Sequence, residues 1–237
     1  MNPFETTPDS RFEAMSLATA GRVSAFLRRV YGWMFFGLAL TGLVAAGMAA
    51  NPSTVIGFAR NPVLFFGLII AELGLVVYLS ARVLKMSPAA AAGAFITYAA
   101  LNGVLFSTIF LAYTATSIST TFFITAGMFG ALALFGTVTK KSLAGIGSFV
   151  TMGLIGLLLA MVVGMFVHSD GLQFAISIIG VIVFTGLTAW DAQRLKAMTV
   201  ATPEGHVQNL AIIGALRLYL DFVNLFLFLL RFMGRRR

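Results

Sequence analysis

Apolar residues run through this chain in seven long blocks, separated by short polar stretches. The first block extends from about Val30 to Ala50 and stops at Asn51-Pro52, because proline cannot continue a helix. The others cover approximately Pro62–Leu84, Pro88–Tyr113, Ile118–Val138, Leu143–Val167, Gly171–Trp190 and Val207–Phe232. Each is close to or above the roughly 20 residues that cross a ~30 Å hydrocarbon core. In lipid, only helices and closed barrels satisfy their own backbone, and these blocks lack the two-residue alternation of barrel strands. The pattern therefore predicts an all-α integral membrane protein built as a seven-transmembrane-helix bundle. It divides the chain into a cytoplasmic N-terminal tail (residues 1–29), a membrane domain (30–232) and a basic C-terminal tail (233–237).

Composition agrees with this pattern. The chain is 59% hydrophobic and only 10% charged, against about 25% charged in a soluble domain. It has no cysteine, which excludes disulfides, thiol chemistry and cysteine-based metal sites. The net charge of +8 sits mainly in the connections and tails. No basic face with interleaved aromatics accompanies it, so a nucleic-acid partner is not expected. Arg82 and Lys85 follow the second block, Lys140 and Lys141 the fourth, and Arg194 and Lys196 the sixth, whereas the opposite connections hold only Arg60. This positive-inside distribution predicts a cytoplasmic N-terminus. The tail before Val30 is too long and too mixed in charge for a cleaved signal peptide. Arg231 and Arg235 to Arg237 run against the pattern, since seven crossings place them outside. A re-entrant last segment would remove the conflict, but late charges do not always override an established topology, so seven crossings are expected.

Small residues recur every four positions at Gly156, Ala160 and Gly164 in the fifth block and at Ala126 and Gly130 in the fourth. That spacing lets helix backbones approach closely and predicts tight internal packing there.

The chemistry of interest lies in three acids within or at the ends of the blocks. Asp221 stands inside L-R-L-Y-L-D-F-V-N-L-F, with Arg217 four residues before it and Asn224 three after. Asp191 closes the sixth block on one helical face with Thr185 and Thr188, and Glu72 lies alone in I-I-A-E-L-G-L. An acid at bilayer depth is costly unless paired, hydrated or protonated, which makes each a functional-site hypothesis. Plainer roles exist for all three. Asp191 fits a helix end at the interface near Arg194 and Lys196, Asp221 fits an intrahelical pair with Arg217, and Glu72 fits a protonated hydrogen-bonded side chain. If Asp191 and Asp221 face one another, they resist joint ionisation and titrate as a pair.

Enzyme classes find little support. The last block has no lysine for a retinal Schiff base, and the histidines, His168 and His206, fall in connections rather than beside a buried serine. An intramembrane aspartyl protease would carry G-x-G-D where this chain has Y-L-D, and no nucleotide-binding motif is present. No cofactor is implied.

T-A-W-D-A-Q-R-L-K around Asp191, L-Y-L-D-F-V-N-L-F around Asp221, F-G-A-L-A-L-F-G-T-V-T-K-K-S-L-A-G-I-G-S-F-V and L-N-G-V-L-F-S-T-I-F together resemble the Bax inhibitor-1 family, the transmembrane Bax inhibitor motif proteins. The resemblance covers nearly all of residues 30–232 and is greatest to bacterial inner-membrane members. It implies seven helices, six of them in two three-helix layers around a central seventh. It also implies that Asp191 and Asp221 form a proton-sharing pair near the cytoplasmic side, which senses pH and gates a calcium leak. Glu72 matches the family's acid in the second helix, and Arg82 is the nearest candidate for a basic latch on the pair. Arg217 departs from the family pattern, where a small or apolar residue is usual.

Two functions are therefore expected. One is a pH-sensitive cation leak, in which Asp191, Asp221 and Glu72 line an oxygen-rich path suited to a hard ion such as calcium. Arg82, Arg217 and Asn224 are candidates for its path or latch. The alternative is a non-transporting regulator of proteolysis or stress response that acts by protein–protein binding, with a membrane-anchored protease as a partner. The membrane lipid is the common partner of both.

Overall fold

A computed structural model of the chain describes residues 8–167, 169–201 and 207–236. Among these residues the chain is helical throughout: α1 Pro8–Ala49, α2 Pro52–Arg60, α3 Pro62–Arg82, α4 Pro88–Phe106, α5 Ile109–Ala112, α6 Ala115–Val138, α7 Ala144–Phe166, α8 Asp170–Ala201 and α9 Val207–Met233. A single 3₁₀ turn, Val83–Lys85, follows α3. Seven of these units are long and apolar enough to cross a membrane, with α4 and α5 together forming the third.

Local signals start the helices where the polar breaks predict. Proline opens α2, α3 and α4 at a position whose N–H would have no partner in any case. The Asn61, Ser87 and Thr114 side chains accept from the backbone N–H groups of Leu64, Ala90 and Ser117, capping α3, α4 and α6. The break between α4 and α5 is also local. Ser107 Oγ and Thr108 Oγ1 donate to the carbonyls of Val104 and Leu105 at 2.6 and 2.7 Å, competing with the helix ladder.

Several boundaries differ from the hydrophobic pattern. The first helix begins at Pro8 rather than near Val30, because its polar N-terminal turns continue the same helix. The part of the expected tail formed by residues 1–7 lies outside the described residues, as do His168, His206 and Arg237. The sixth helix continues well beyond Trp190, to Ala201, so Asp191 is an interior helical residue and not a helix end. The third apolar block, continuous in sequence, is interrupted at Ser107–Thr108.

α9 is the axis of the bundle. It packs against α1 and α4 on one side and against α6 and α8 on the other, while α3 lies outside α4 and α7 outside α8. Most of its residues from Asn209 to Leu230 are buried, whereas α7 presents Phe149, Met152, Ile155 and Phe166 to the membrane. The central helix is not the most apolar one: α9 carries Asn209, Arg217, Asp221 and Asn224, whereas the more apolar α7 lies outside, since in lipid close packing and polar contacts, not hydrophobicity, select what is buried.

The small-residue spacing marks close packing only in part: Gly164 is buried, and a Cβ there would stand 3.4 Å from the Gln173 and Ile176 side chains of α8. A Cβ at Gly130 or Gly156 would meet nothing within 4 Å, so those two glycines face open space. The close approaches occur at Gly136 against the Ala189 backbone, Gly147 against the Trp190 ring and Gly180 against Phe228. The spacing motif records only that a face is smooth. Whether a partner helix covers it depends on how the helices are rotated.

Polar ties fix the two ends of the bundle. Asn209 Nδ2 donates to the carbonyls of Val83 and Met86, joining the start of α9 to the α3–α4 connection. Gln193 bonds both Lys141 O and the Leu143 N–H, and Lys196 Nζ donates to Thr137 O, joining α8 to the α6–α7 connection. The three basic connections thus lie at one end. At the other, Thr114 N–H donates to Arg235 O and the Arg235 N–H to Ser117 Oγ. α9 therefore runs the full length of the bundle and is not re-entrant, and its arginine tail ends opposite the basic connections.

Candidate functional site

The site is built on α8 and α9. Asp191 and Asp221 are only 8% and 5% exposed, so neither carboxylate relies on bulk water. The Arg217 guanidinium stands 3.8 Å from Asp191 Oδ1, an ion pair longer than a hydrogen bond. Asp221 in turn experiences the charges of Asp191 and Arg217, and Asp191 that of Arg194 as well. Arg194 is held over the Trp190 ring at 5.4 Å. The structure thus gathers Asp191, Asp221 and Arg217 into one constellation and sets Arg194 at its edge.

The expected intrahelical partnership of Arg217 with Asp221 is not the ion pair that forms. Arg217 reaches across to the neighbouring helix, and its partly exposed side chain spans the α8–α9 seam. Each aspartate keeps a buried oxygen without a hydrogen-bond partner, Oδ1 of Asp191 and Oδ2 of Asp221, as does the Thr185 hydroxyl. Buried polar atoms left unbonded are rare in folded proteins and mark groups poised for another partner, proton or water. Thr188, by contrast, donates to Phe184 O of its own helix.

The helices around the seam pack closely. Gly136 of α6 and Gly147 of α7 let the helix backbones close on Ala189 and Trp190, the two residues before Asp191. From the other side Gly214 of α9 admits Leu195 of α8 and Val30 of α1. The depth and rotation of α8 around Asp191 are thereby set by packing against α6, α7 and α9.

The remaining sequence candidates go elsewhere. Glu72 is 8% exposed, with Oε1 unbonded, and lies within electrostatic range of Tyr98 and Tyr219. Asn224 Nδ2 is satisfied by Leu220 O of its own helix. Arg82 is exposed at the end of α3, and neither aspartate has an ion pair with it. Among the described residues no three acids or histidines gather to hold a metal. The three candidate acids therefore do not form one cluster, whereas a bound calcium ion takes about 6–8 oxygen ligands.

Sequence reasoning missed a polar knot on the other side of α9. Tyr219 OH and Thr41 Oγ1 lie 2.8 Å apart, and Thr41 Oγ1 is also 2.9 and 2.8 Å from the carbonyls of Gly37 and Ala99. The Tyr98 and Tyr219 rings meet edge to face at 5.9 Å. The signal available was a buried tyrosine two residues before Asp221, hence on the opposite face of the same helix.

Comparison with known proteins identifies the family. Residues 23–237 match the family model described as inhibitor of apoptosis-promoting Bax1. The chain is 48% identical over 219 residues to inner membrane protein YbhL of Escherichia coli, covering 91% of this chain and 93% of that protein. It is 43% identical over 216 residues to a protein of Rickettsia prowazekii, covering 90% of each. It is 42% identical over 214 residues to a protein of Borreliella burgdorferi, covering 90% of this chain and 92% of that one. With seven membrane-length helices around a buried C-terminal one and matches along nine-tenths of its length, the chain belongs to the Bax inhibitor-1 family.

Proposed function

We propose that this protein is a pH-sensitive cation leak of the bacterial cytoplasmic (inner) membrane, with calcium as the permeant ion and the Asp191–Asp221 pair as the gate. The observation that carries this reading is a pair of buried carboxylates on adjacent helices, within electrostatic range of one another and each with an unbonded oxygen. Two such groups share protons as a unit. Protonation would weaken the Asp191–Arg217 pair and so alter the seam between α8 and α9. Because α9 is the element on which both sides of the bundle pack, a change at this seam would reach the whole molecule. The name of the Escherichia coli relative supports the inner-membrane location. The gathering of the basic connections at one end supports a cytoplasmic N-terminus. No catalytic step or cofactor enters this reading.

The test is calcium flux into proteoliposomes as a function of pH, for the wild type, Asp191→Asn and Asp221→Asn. The reading expects both variants to lose the wild-type pH response. Flux and pH response unchanged in both would remove the aspartate gate. A second reading, a non-transporting regulator that binds another membrane protein, draws support from α1. That helix continues to Pro8, ahead of the apolar span that begins at Thr19. Well-folded protein without flux at any pH would favour it.

A further inference from the structure

α1 and α6 both pack on α9 but not closely on one another. Between them the bundle leaves a groove of about 950 Å³ that opens sideways to the membrane. Its volume is at the upper end of ligand sites, which are roughly 300–1,000 Å³. Tyr31 and Leu38 of α1 form one wall, Phe122, Gly130 and Thr137 of α6 the other, and Phe222 of α9 part of the floor. A smaller cavity of about 100 Å³ continues from it past Phe222 to Phe226.

Three features describe the occupant. The first is length. The α6 wall runs from Ala115 to Thr137, about 33 Å at 1.5 Å per residue; this exceeds one leaflet of the ~30 Å hydrocarbon core, so an acyl chain entering at one mouth has room to lie extended along it. The second is openness within an apolar lining. Gly42 and Gly130 both line the groove, and a Cβ at either would meet nothing within 4 Å. The third is charge at one mouth. Lys196 Nζ sits on Thr137 O at 2.9 Å, and Lys140 and Lys141 follow the end of α6. Arg28 lies three residues before Tyr31, on the groove side of α1. A long apolar slot in the membrane with a basic mouth at the interface is complementary to one molecule type, a lipid with an anionic head and an extended tail.

We propose that the α1–α6 groove is a binding site for a single anionic phospholipid, its acyl chain lying against Phe122 and Phe222 and its phosphate held by Arg28, Lys140 and Lys196. The acyl chain then touches the residue next to Asp221, so occupancy bears on the position of α9 beside the aspartate pair. Binding itself does not depend on the leak reading.

The experiment places the full-length protein in nanodiscs of equal parts phosphatidylglycerol and phosphatidylcholine. The lipid retained after mild detergent extraction is then counted by native mass spectrometry. The wild type should retain phosphatidylglycerol in preference to phosphatidylcholine. Arg28→Gln and Lys196→Gln should each lower that retention roughly five-fold, the effect of one basic side chain at an anionic surface. Gly130→Leu, which fills the groove where the protein itself offers no obstacle, should remove bound lipid with an unchanged melting temperature. Arg60→Gln, at the far end of the bundle, should retain lipid like the wild type. Equal retention of the two lipids by the wild type, or unaltered retention in both Arg28→Gln and Gly130→Leu, overturns the proposal.

Discussion

The Arg217 guanidinium of α9 is paired with Asp191 of α8, 3.8 Å away, and not with Asp221, the acid one turn further along its own helix. The pair crosses the seam that holds both aspartates, so charge removed from either residue is felt across two helices. Its strength is limited, because the arginine side chain is 35% exposed and therefore screened.

A double-mutant cycle measures this connection. Asp191→Asn and Arg217→Met should be coupled by about 1 kcal/mol in thermal unfolding in detergent, the upper range for a partly exposed pair. The double variant should be less destabilised than the sum of the singles. Additivity within about 0.3 kcal/mol would mean that the two side chains do not interact.

The glycines around Asp191 are expected to be intolerant. At Gly136 an added methyl would run into the Ala189 backbone, which cannot swing aside as a side chain would. Gly136→Ala should destabilise by about 1–3 kcal/mol, as overpacking does. Gly156→Ala, where the new Cβ meets nothing, should be neutral or stabilising by up to about 1 kcal/mol through helix propensity. Melting temperatures of the two variants in the same detergent decide this, and equal values would contradict the packing described.

Asn209 should act as a bolt between α9 and the α3–α4 connection, since its buried amide serves the carbonyls of Val83 and Met86 at 2.6 and 2.7 Å. Asn209→Leu leaves both carbonyls without that donor and should cost about 1–3 kcal/mol. Limited proteolysis should show faster cleavage around Leu84–Ser87 in this variant. Wild-type cleavage rates there would exclude the role.

On the opposite face of α9, Tyr219→Phe removes the hydroxyl that meets Thr41 at 2.8 Å while keeping the ring contacts with Phe95 and Tyr98. The expected loss is about 0.6 kcal/mol, typical of an interhelical hydrogen bond in a membrane protein. Thr41→Val should cost a similar amount, and the double variant little more than either single. Additive losses would show that the two hydroxyls act separately.

Much of the fold was legible because hydropathy is a property of each helix by itself. A block of apolar residues such as Ala144–Phe166 is stable across lipid whatever its neighbours are, so the spans could be located one at a time. The acids Asp191, Asp221 and Glu72 could be singled out in the same way, because a carboxylate at bilayer depth is anomalous whatever surrounds it. Helix continuation through polar residues could not be read so. α1 reaching Pro8 and α8 running past Asp191 to Ala201 both extend into sequence where apolar residues are interspersed with polar ones instead of forming a continuous block.

By itself, then, the sequence determined the number of spans, the central acids and the likeness to one family. Tertiary structure decided which of these residues meet. It paired Arg217 with Asp191, set Glu72 near the tyrosines instead of the aspartates, opened a groove beside Gly130 and closed the bundle at Gly136. The reason is geometric. Which side chains meet depends on the rotation and depth of each helix against its neighbours, and those are fixed by packing summed over the whole bundle, a quantity no local stretch of sequence contains.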